Sequence, residues 1–384
     1  MNTSMVSLGA LDTRQDTRIA EVRVYRHELS VAGGPYAMGH SALDALDSTL
    51  VEIHTEDGLV GYGETCPVGP VYQPHHASGA RAALAEMIPH LIGHDARRIL
   101  PARVLMDGAL TGHEYAKAAI DIALWDLLGK SCGMRVCDLL GGALAERVPS
   151  YYSITVAEPD EAAERAVAKQ AEGFRRLQLK VGGRPIETDL EAIRKVAPVL
   201  KPGVRLAVDA NRTWTASEAI SISRQCADLM LVLEQPCNSF EENATVSARV
   251  AHPVFLDEAI VDLRALVRAI TEGVAQGFGL KLTRAGGVSG MRALRDVCDA
   301  YHVPHTCDDA WGGDVIAAAC VHIAATVRPR LLQGAWIAAP HLAEHYDAEH
   351  PIAVRDGSIA VPTGAGLGVD PNTEDWGPPV ASYS

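Results

Sequence analysis

The sequence is short of several features that mark particular classes of protein. Aromatic residues make up only 5% of its 384 residues, and Lys and Arg number 34 against 48 Asp and Glu, which gives a formal net charge of −14. An excess of negative charge repels nucleic-acid phosphates and anionic lipids. We therefore predict neither a nucleic-acid partner nor a membrane partner.

Cysteine pairs and long apolar runs are also missing. The eight cysteines are scattered, without a CxxC pair or a zinc-like cluster, so we predict reduced, buried thiols. The longest apolar stretch, near residues 315–326, is short and contains His322. Residues 1–16 lack the basic start and apolar run of a signal peptide. These features predict a cytoplasmic protein with a flexible tail at residues 1–16.

The composition is otherwise that of a globular protein, with 48% apolar residues, and the length favours two domains. Within residues 17–142, alternating apolar and polar residues predict strands, and segments 79–92 and 115–130 have helical periodicity. This first block therefore predicts strands followed by helices.

Beyond residue 142 the pattern changes to eight short β-branched runs that alternate with helix-like segments. Runs without strict polar alternation are typical of parallel strands that are buried on both faces. Their near-constant period favours a closed barrel over an open sheet. We predict an α/β fold with a TIM-type barrel at residues 143–340. We expect the Pro- and Gly-rich residues 341–384 to pack back on the first domain.

Charged residues end five successive runs of the predicted barrel, about one strand-helix unit apart: Lys180, Asp209, Glu234, Asp257 and Lys281. Reactive side chains in such barrels project from the carboxyl ends of the strands. Three carboxylates on adjacent strands need a cation, and an all-oxygen set suits Mg²⁺. We assign the three carboxylates as Mg²⁺ ligands. The alternative for any one of them is that it caps the next helix.

The two lysines flank the three carboxylates in strand order, which predicts one base on each face of a substrate. A lone lysine at a strand end is usually a solvated charge, but both of these lie in apolar runs. Burial beside a divalent cation disfavours an ammonium group, so one lysine could be neutral and act as a base. The pattern predicts removal of a proton α to a carboxylate, with the metal stabilising the enediolate.

Motifs along nearly the whole chain resemble the enolase superfamily, in the branch of mandelate racemase and muconate-lactonising enzymes. They are AKAAIDIALWDLLGK (116–130), LQLKVGG (177–183), VDAN (208–211), LEQP (233–236), LDEA (256–259) and GLKLTRAGG (279–287). The resemblance implies a modified (β/α)₇β barrel at residues 143–340 with an α+β capping domain at residues 17–142. It also implies a Mg²⁺ cofactor and a homo-oligomer.

Within that family, the lysine on strand six is similar to the muconate-lactonising subgroup. The mandelate racemase pattern uses a histidine on strand seven, so His305 is predicted to be structural. The chain departs from the common Lys-x-Lys of strand two, because Gln178 precedes Lys180. We expect Gln178 to hydrogen-bond a substrate carboxylate. The departure leaves open how the pKa of Lys180 is lowered.

The segments ETCPVGPVY (64–72) and PHTCDDAWGGD (304–314) resemble the epimerases of proline betaine and hydroxyproline betaine. Tyr72 and Trp336 are predicted to face a quaternary ammonium through cation-π attraction, and Asp309, in preference to Asp308, to add negative charge. The alternatives are packing for Trp336, a surface position for Tyr72 and helix capping for the aspartate pair.

The function expected from this resemblance is a Mg²⁺-dependent 2-epimerase, an isomerase, that acts on proline betaine or 4-hydroxyproline betaine through two lysines. Two alternatives stay open. The first is a cis-3-hydroxy-L-proline dehydratase of the same superfamily, in which the enediolate expels a β-hydroxyl group. The second is a non-catalytic ligand-binding barrel.

Overall fold

The computed structural model describes residues 16–39, 41–309 and 311–384. The flexible tail predicted at residues 1–16 lies outside the described residues except for Asp16. Within the described residues, no helix combines the length and the apolar character needed to cross a membrane.

The N-terminal region is an antiparallel sheet covered by helices. Its strands are β1 (Ile19–Ser30), β2 (Tyr36–Met38), β3 (Ser41–Leu43), β4 (Ala45–Thr55) and β5 (Val60–Thr65), and its helices are α1 (Ala77–Met87), α2 (Ile99–Ala109), α3 (Glu114–Cys132) and α4 (Val136–Leu139). The strands β1, β4 and β5 form the main sheet, and β2 pairs with β3 in a separate hairpin. The α2 helix was not predicted from the sequence.

The α3 helix lies between this sheet and the barrel, and nearly all of its residues are buried. Its small residues allow the backbone of β5 to approach closely. A Cβ atom on Gly63 would lie 1.8 Å from the carbonyl oxygen of Ala119, so only glycine fits there. The alanine-rich helix and the glycines of β5 therefore form one packing unit.

The second region is a parallel barrel. After β6 (Arg147–Pro149) it contains β7 (Tyr152–Ile154), α5 (Pro159–Ala171), β8 (Arg176–Lys180), α6 (Ile186–Val196), β9 (Arg205–Asp209), α7 (Ala216–Gln225), β10 (Leu231–Glu234), α8 (Phe240–Ser247), β11 (Val254–Leu256), α9 (Leu263–Thr271), β12 (Gly277–Lys281), α10 (Val288–Tyr301), β13 (His305–Asp308) and α11 (Asp314–Ala324). The strands β7 to β13 form one sheet in sequential order.

The eighth predicted run, residues 331–336, closes this sheet through isolated bridges instead of a regular strand. Leu332 bridges to His305 of β13, and Ala335 bridges to Ser150, which precedes β7. The backbone N–H of Ala335 donates to the carbonyl of Pro149 at 2.9 Å. The prediction of a modified (β/α)₇β barrel with an α+β capping domain is confirmed.

The C-terminal residues return to both regions. The strands β14 (Val354–Arg355), β15 (Ser358–Ala360) and β16 (Ala381–Tyr383) complete the order. The β15 strand pairs with β6, and β16 pairs with β1 at the edge of the capping sheet. One sequence prediction needs correction: seven cysteines are buried free thiols, but Cys132 is exposed, because it ends the α3 helix.

Candidate active site

The charged residues predicted at the strand ends meet at the carboxyl end of the barrel. The strand register pairs Lys180 with Asp209 and Asp209 with Glu234 across β8, β9 and β10, and Asp257 directly follows β11. On the other side, Lys281 of β12 pairs with Asp308 of β13. All of these residues are buried. Parallel pairing of short strands therefore brings them together from more than a hundred residues of sequence.

A pocket lies at this end of the barrel. It is lined by six of the predicted residues: Tyr72, Gln178, Lys180, Lys281, Asp309 and Trp336. The capping domain also contributes Tyr36 and Met38 of the β2 strand and Val68 of the loop after β5, and Tyr151 and Trp311 add aromatic surface. The pocket is thus enclosed by both domains, and its walls carry two cationic groups.

The three predicted metal ligands lie below this pocket and contact cationic or amide groups. Asp209 accepts a hydrogen bond from Lys180. Glu234 accepts one from Arg176 at 3.1 Å and one from Gln178 at 2.7 Å. Asp257 accepts one from Arg284 at 2.6 Å. In this arrangement, no group of three His, Cys, Asp or Glu side chains within the described residues is placed to hold an ion.

The chemistry of the carboxylates nevertheless fits a hard cation. Burial and repulsion by Asp209 raise the pKa of Glu234 to about 7, and burial and repulsion by Asp257 raise that of the adjacent Glu258 to about 8. The pKa of Asp257 is lowered despite burial, because Lys281 and Arg284 lie beside it. A cluster of buried carboxylate oxygens is the kind of ligand set that a hard divalent cation prefers. Asp209, Glu234 and Asp257 would hold Mg²⁺ in exchange for their present partners.

The two lysines have unequal numbers of acidic partners. Burial lowers the pKa of Lys180, but Asp209, Tyr36 and Glu234 together raise it more, so that it lies above its ordinary value. The Nζ atom of Lys281 lies 3.3 Å from Asp257 and 3.4 Å from Asp308, and these two carboxylates raise its pKa well above the ordinary value despite burial. The expected lowering of a lysine pKa is therefore absent while the carboxylates face the lysines directly.

Gln178 hydrogen-bonds two neighbouring side chains. Its Nε2 atom donates to Glu234, and its Oε1 atom accepts from the hydroxyl of Ser153 at 2.6 Å. Both ends of the amide are occupied because Gln178 lies one layer below Lys180 on the same face of β8. Gln178 also borders the pocket, so its hydrogen bond to a substrate carboxylate stays a prediction.

The aspartate pair after β13 does not cap the next helix, since the α11 helix begins after Gly313 without a side-chain cap. Asp309 borders the pocket and accepts from the backbone N–H and the hydroxyl of Thr283 at 3.1 and 2.7 Å. Asp308 lies deeper. It accepts from the hydroxyl of Tyr151 at 2.9 Å and from the backbone N–H of Trp336 at 2.8 Å.

Trp336 both packs and borders the pocket. Its ring lies 5.6 Å from that of Trp311 in an edge-to-face arrangement, and Trp311 lies 5.1 Å from Tyr36 in the same manner. Tyr72 is a half-buried pocket residue. His305 lies at the opposite end of β13 from the pocket, and its Nδ1 atom is 3.1 Å from the carbonyl of Val303.

Sequence reasoning missed several polar residues of this site. Arg176 and Arg284 each contact a predicted metal ligand. Glu258 is buried and accepts a hydrogen bond from the side chain of Asn211. The available signals were an arginine within the apolar run RLQLK and the acidic pair in LDEA. Nothing in the sequence indicated that Tyr36 would reach the pocket from the other domain.

Sequence and structural comparisons now decide the family. Residues 161–376 match the family described as Enolase C-terminal domain-like, and residues 19–141 match the N-terminal domain of mandelate racemase / muconate lactonizing enzyme. The chain belongs to the enolase superfamily. It is therefore an enzyme of that superfamily. Its relatives include a cycloisomerase, a racemase and an epimerase.

Three members of the superfamily illustrate the relationship. A cis-3-hydroxy-L-proline dehydratase of Roseibium aggregatum is 38% identical over 96% of this chain and 100% of its own. Chloromuconate cycloisomerase CbnB of Cupriavidus necator is 28% identical over 88% and 92%. A superfamily member from Roseovarius nubinhibens, solved in complex with magnesium, is 34% identical over 96% and 99%, with a TM-score of 0.90.

The expected betaine epimerase is wrong. The full-length relative at 38% identity is a dehydratase of cis-3-hydroxy-L-proline, which is the alternative that the sequence left open within the superfamily. The physical reason for the error is that an aromatic wall attracts any organic cation, so Tyr72 and Trp336 do not distinguish a quaternary ammonium from the secondary ammonium of a proline ring.

Proposed function

We propose that the protein dehydrates cis-3-hydroxy-L-proline. The observation that carries this proposal is the 38% identity to a dehydratase of that amino acid over the full length of the relative. The site geometry supports it, because Lys180 and Lys281 border one pocket from strands on opposite sides of the three carboxylates.

The stereochemistry of the substrate suits this pair of lysines. In cis-3-hydroxy-L-proline the hydroxyl group and the carboxylate share one face of the ring, so the Cα proton lies on the other face. A base on one side removes that proton, and the C–H electron pair forms the Cα–C3 double bond. The C3–O bond breaks, an acid on the opposite side protonates the departing oxygen, and water leaves. The resulting enamine tautomerises to a cyclic imine.

The contacts of the lysines support a division of roles between them. Asp209, when it acts as a metal ligand, leaves Lys180 without its hydrogen-bonded carboxylate, so burial favours the neutral amine. Lys281 keeps Asp308, which is not among the proposed ligands, and therefore keeps its proton. We assign Lys180 as the base that removes the Cα proton and Lys281 as the acid that protonates the leaving hydroxyl.

The remaining side chains bind and orient. A bound Mg²⁺, held by Asp209, Glu234 and Asp257, would draw electron density from the substrate carboxylate and so acidify the Cα proton. Asp309 and the rings of Trp311 and Trp336 border the same pocket. A carboxylate and aromatic faces are suited to a protonated ring nitrogen. This wall would hold the ring between the two lysines.

The test is to incubate the purified protein with Mg²⁺ and cis-3-hydroxy-L-proline in D₂O and to follow the ring protons by NMR. We expect loss of the Cα signal together with formation of the cyclic imine. Addition of EDTA should stop the reaction, and Mg²⁺ in excess should restore it. The trans-3-hydroxy isomer is the matched control, because its hydroxyl group lies on the face of the base. No reaction with the cis isomer would reject the proposal.

A further inference from the structure

Glu64 is a buried carboxylate of the capping domain that the proposed mechanism does not use. It lies at the end of β5 with 0% of its surface exposed. Its side chain crosses to the barrel, where Oε1 accepts from the backbone N–H of Gly313 at 2.9 Å and Oε2 accepts from that of Ile316 at 3.2 Å. Glu64 therefore supplies the acceptors that the first turn of the α11 helix lacks.

Two further donors hold the Glu64 carboxylate in place. The hydroxyl of Ser48 donates to Oε1 at 2.8 Å, and the hydroxyl of Tyr346 donates to the same atom at 2.9 Å. These donors come from the β4 strand and from the C-terminal residues. The contact thus joins three separate parts of the chain at one carboxylate.

Two adjacent glycines make this contact possible. A Cβ atom on Gly312, where φ is +136°, would lie 3.2 Å from Oε1 of Glu64 and 2.7 Å from the side chain of Ile316. A Cβ atom on Gly313 would lie 2.2 Å from the ring of Tyr346. The pair in the WGGD segment therefore allows the carboxylate and the tyrosine to reach the backbone that precedes α11.

Glu64 holds the backbone two positions beyond Trp311, a residue of the pocket wall. Asp309 and Trp311 border the pocket together with Lys180 and Lys281, and Gly313 follows Trp311 by two positions. The ring of Trp311 also contacts Tyr36 of the capping domain and Trp336 of the barrel. A shift at Gly313 would move the wall but neither lysine, because the lysines end the strands β8 and β12.

We propose that Glu64 is a positioning residue that fixes Trp311 against the substrate ring. This inference rests on the proposed dehydratase function for its choice of substrate. It predicts a specific kinetic result, since loss of the contact weakens binding of the ring while the proton-transfer groups stay in place. A purely structural contact between domains would instead reduce stability and leave KM unchanged.

Asp126 offers a matched control. It is also a fully buried carboxylate of the capping domain, and it accepts from the backbone N–H groups of Tyr62 at 3.0 Å and Leu367 at 2.8 Å. It therefore joins separate segments in the same way as Glu64. Neither Asp126 nor these two partners borders the pocket.

The experiment compares Glu64→Gln with Asp126→Asn by amide hydrogen exchange and by steady-state kinetics. Glutamine keeps the shape but replaces one acceptor oxygen with an NH₂ group, so one helix N–H loses its partner. We expect faster exchange at Gly313 and Ile316 and a KM for cis-3-hydroxy-L-proline raised about tenfold, with kcat within about threefold of wild type. Asp126→Asn should leave both the exchange of these amides and the KM unchanged.

The exchange and kinetic readouts separate this inference from the proposed function. Unchanged exchange at Gly313 and Ile316 would overturn the inference, as would faster exchange with an unchanged KM. Inactive wild-type protein would reject the proposed function, and exchange alone would then decide whether Glu64 holds the wall. If Glu64→Gln fails to fold, Tyr346→Phe removes only one donor to the carboxylate, and a rise in KM of about twofold to threefold is then expected.

Discussion

The two lysines on opposite sides of the pocket have different carboxylate partners. On the β8 side, Lys180 contacts one carboxylate, Asp209, which is also a proposed metal ligand. On the β12 side, Lys281 contacts Asp257 and also Asp308, which the proposal leaves free of metal. In the proposed mechanism this difference gives the two lysines opposite roles, because the number of carboxylates left beside each lysine after metal binding sets which one keeps its proton.

The largest expected effect comes from removing each lysine in turn. Lys180→Ala should lower both Cα exchange in D₂O and water loss on the order of a thousandfold, because no base remains on that face. Lys281→Ala should lower water loss by a similar factor but preserve Cα exchange. NMR of the substrate measures both rates, and circular dichroism of the variants controls for folding. Equal loss of exchange in the two variants would contradict the assignment.

Asp308→Asn tests the carboxylate that distinguishes the two sides. Asparagine can still accept from the Trp336 N–H, but it removes the charge that holds the proton on Lys281. We expect kcat for dehydration to fall on the order of tenfold to a hundredfold with little change in Cα exchange. Asp309→Asn is the neighbouring control and should act mainly on KM. Unaltered dehydration in Asp308→Asn would mean that Lys281 does not depend on this partner.

Tyr151→Phe refines the same comparison. The Tyr151 hydroxyl donates to Asp308, and its ring faces the guanidinium of Arg176 at 4.2 Å. Phenylalanine keeps the ring and loses one of several hydrogen bonds to Asp308. We expect the free energy of unfolding to fall by about 1 kcal/mol and kcat to fall about twofold to threefold, measured by urea denaturation and by the dehydration assay. A larger loss of exchange than of dehydration would be inconsistent with a role on the β12 side.

The aromatic side chains Tyr36, Trp311 and Trp336 surround His341. We expect this histidine to make the stability of the fold, and not the proton transfer itself, sensitive to acid. Burial lowers the pKa of His341, which contacts Trp336, Trp311 and Tyr36, to about 3. The unfolded chain binds a proton at this residue below pH 6.5, whereas the folded chain stays neutral. The stabilisation present above pH 6.5 is therefore lost as the pH falls towards 3, by up to about 1.4 kcal/mol per pH unit.

The measurement is the melting temperature of wild type and of His341→Gln between pH 7.5 and pH 5. We expect the wild type to lose stability more steeply than the variant, which has no titrating group at this position. Parallel pH profiles would show that His341 becomes protonated without unfolding the wall.

The sequence predicted the five charged strand ends because their spacing follows one strand-helix unit, and parallel register converts that spacing into proximity. The sequence did not predict the contacts of Arg176 and Arg284, whose side chains lie against the carboxylates in the barrel interior. An arginine in a short apolar run is equally compatible with an exposed position at the edge of a strand. Gln178 was recognised as a departure from the family pattern, but its bond to Glu234 depends on which layer of the barrel it occupies.

The substrate was the least predictable feature. The sequence predicted that Tyr72 and Trp336 face a cation. The attraction of an aromatic ring to an ammonium group does not identify how many methyl groups that ammonium carries. The choice between epimerisation and dehydration depends on where a second acid lies relative to C3. In the proposed mechanism that acid is Lys281, and its contact with Asp308 follows from the register of β12 and β13.

By itself the sequence determined the alternation of strands and helices, and with it the ring of lysines and carboxylates, since local periodicity and spacing are encoded residue by residue. Only the tertiary structure decided which carboxylate contacts which lysine. It also decided that Tyr36 and Glu64 of the capping domain contact Trp311 and Gly313, more than two hundred residues away along the chain. Such contacts depend on the packing of two domains, and packing depends on the sum of many weak interactions that no short motif contains.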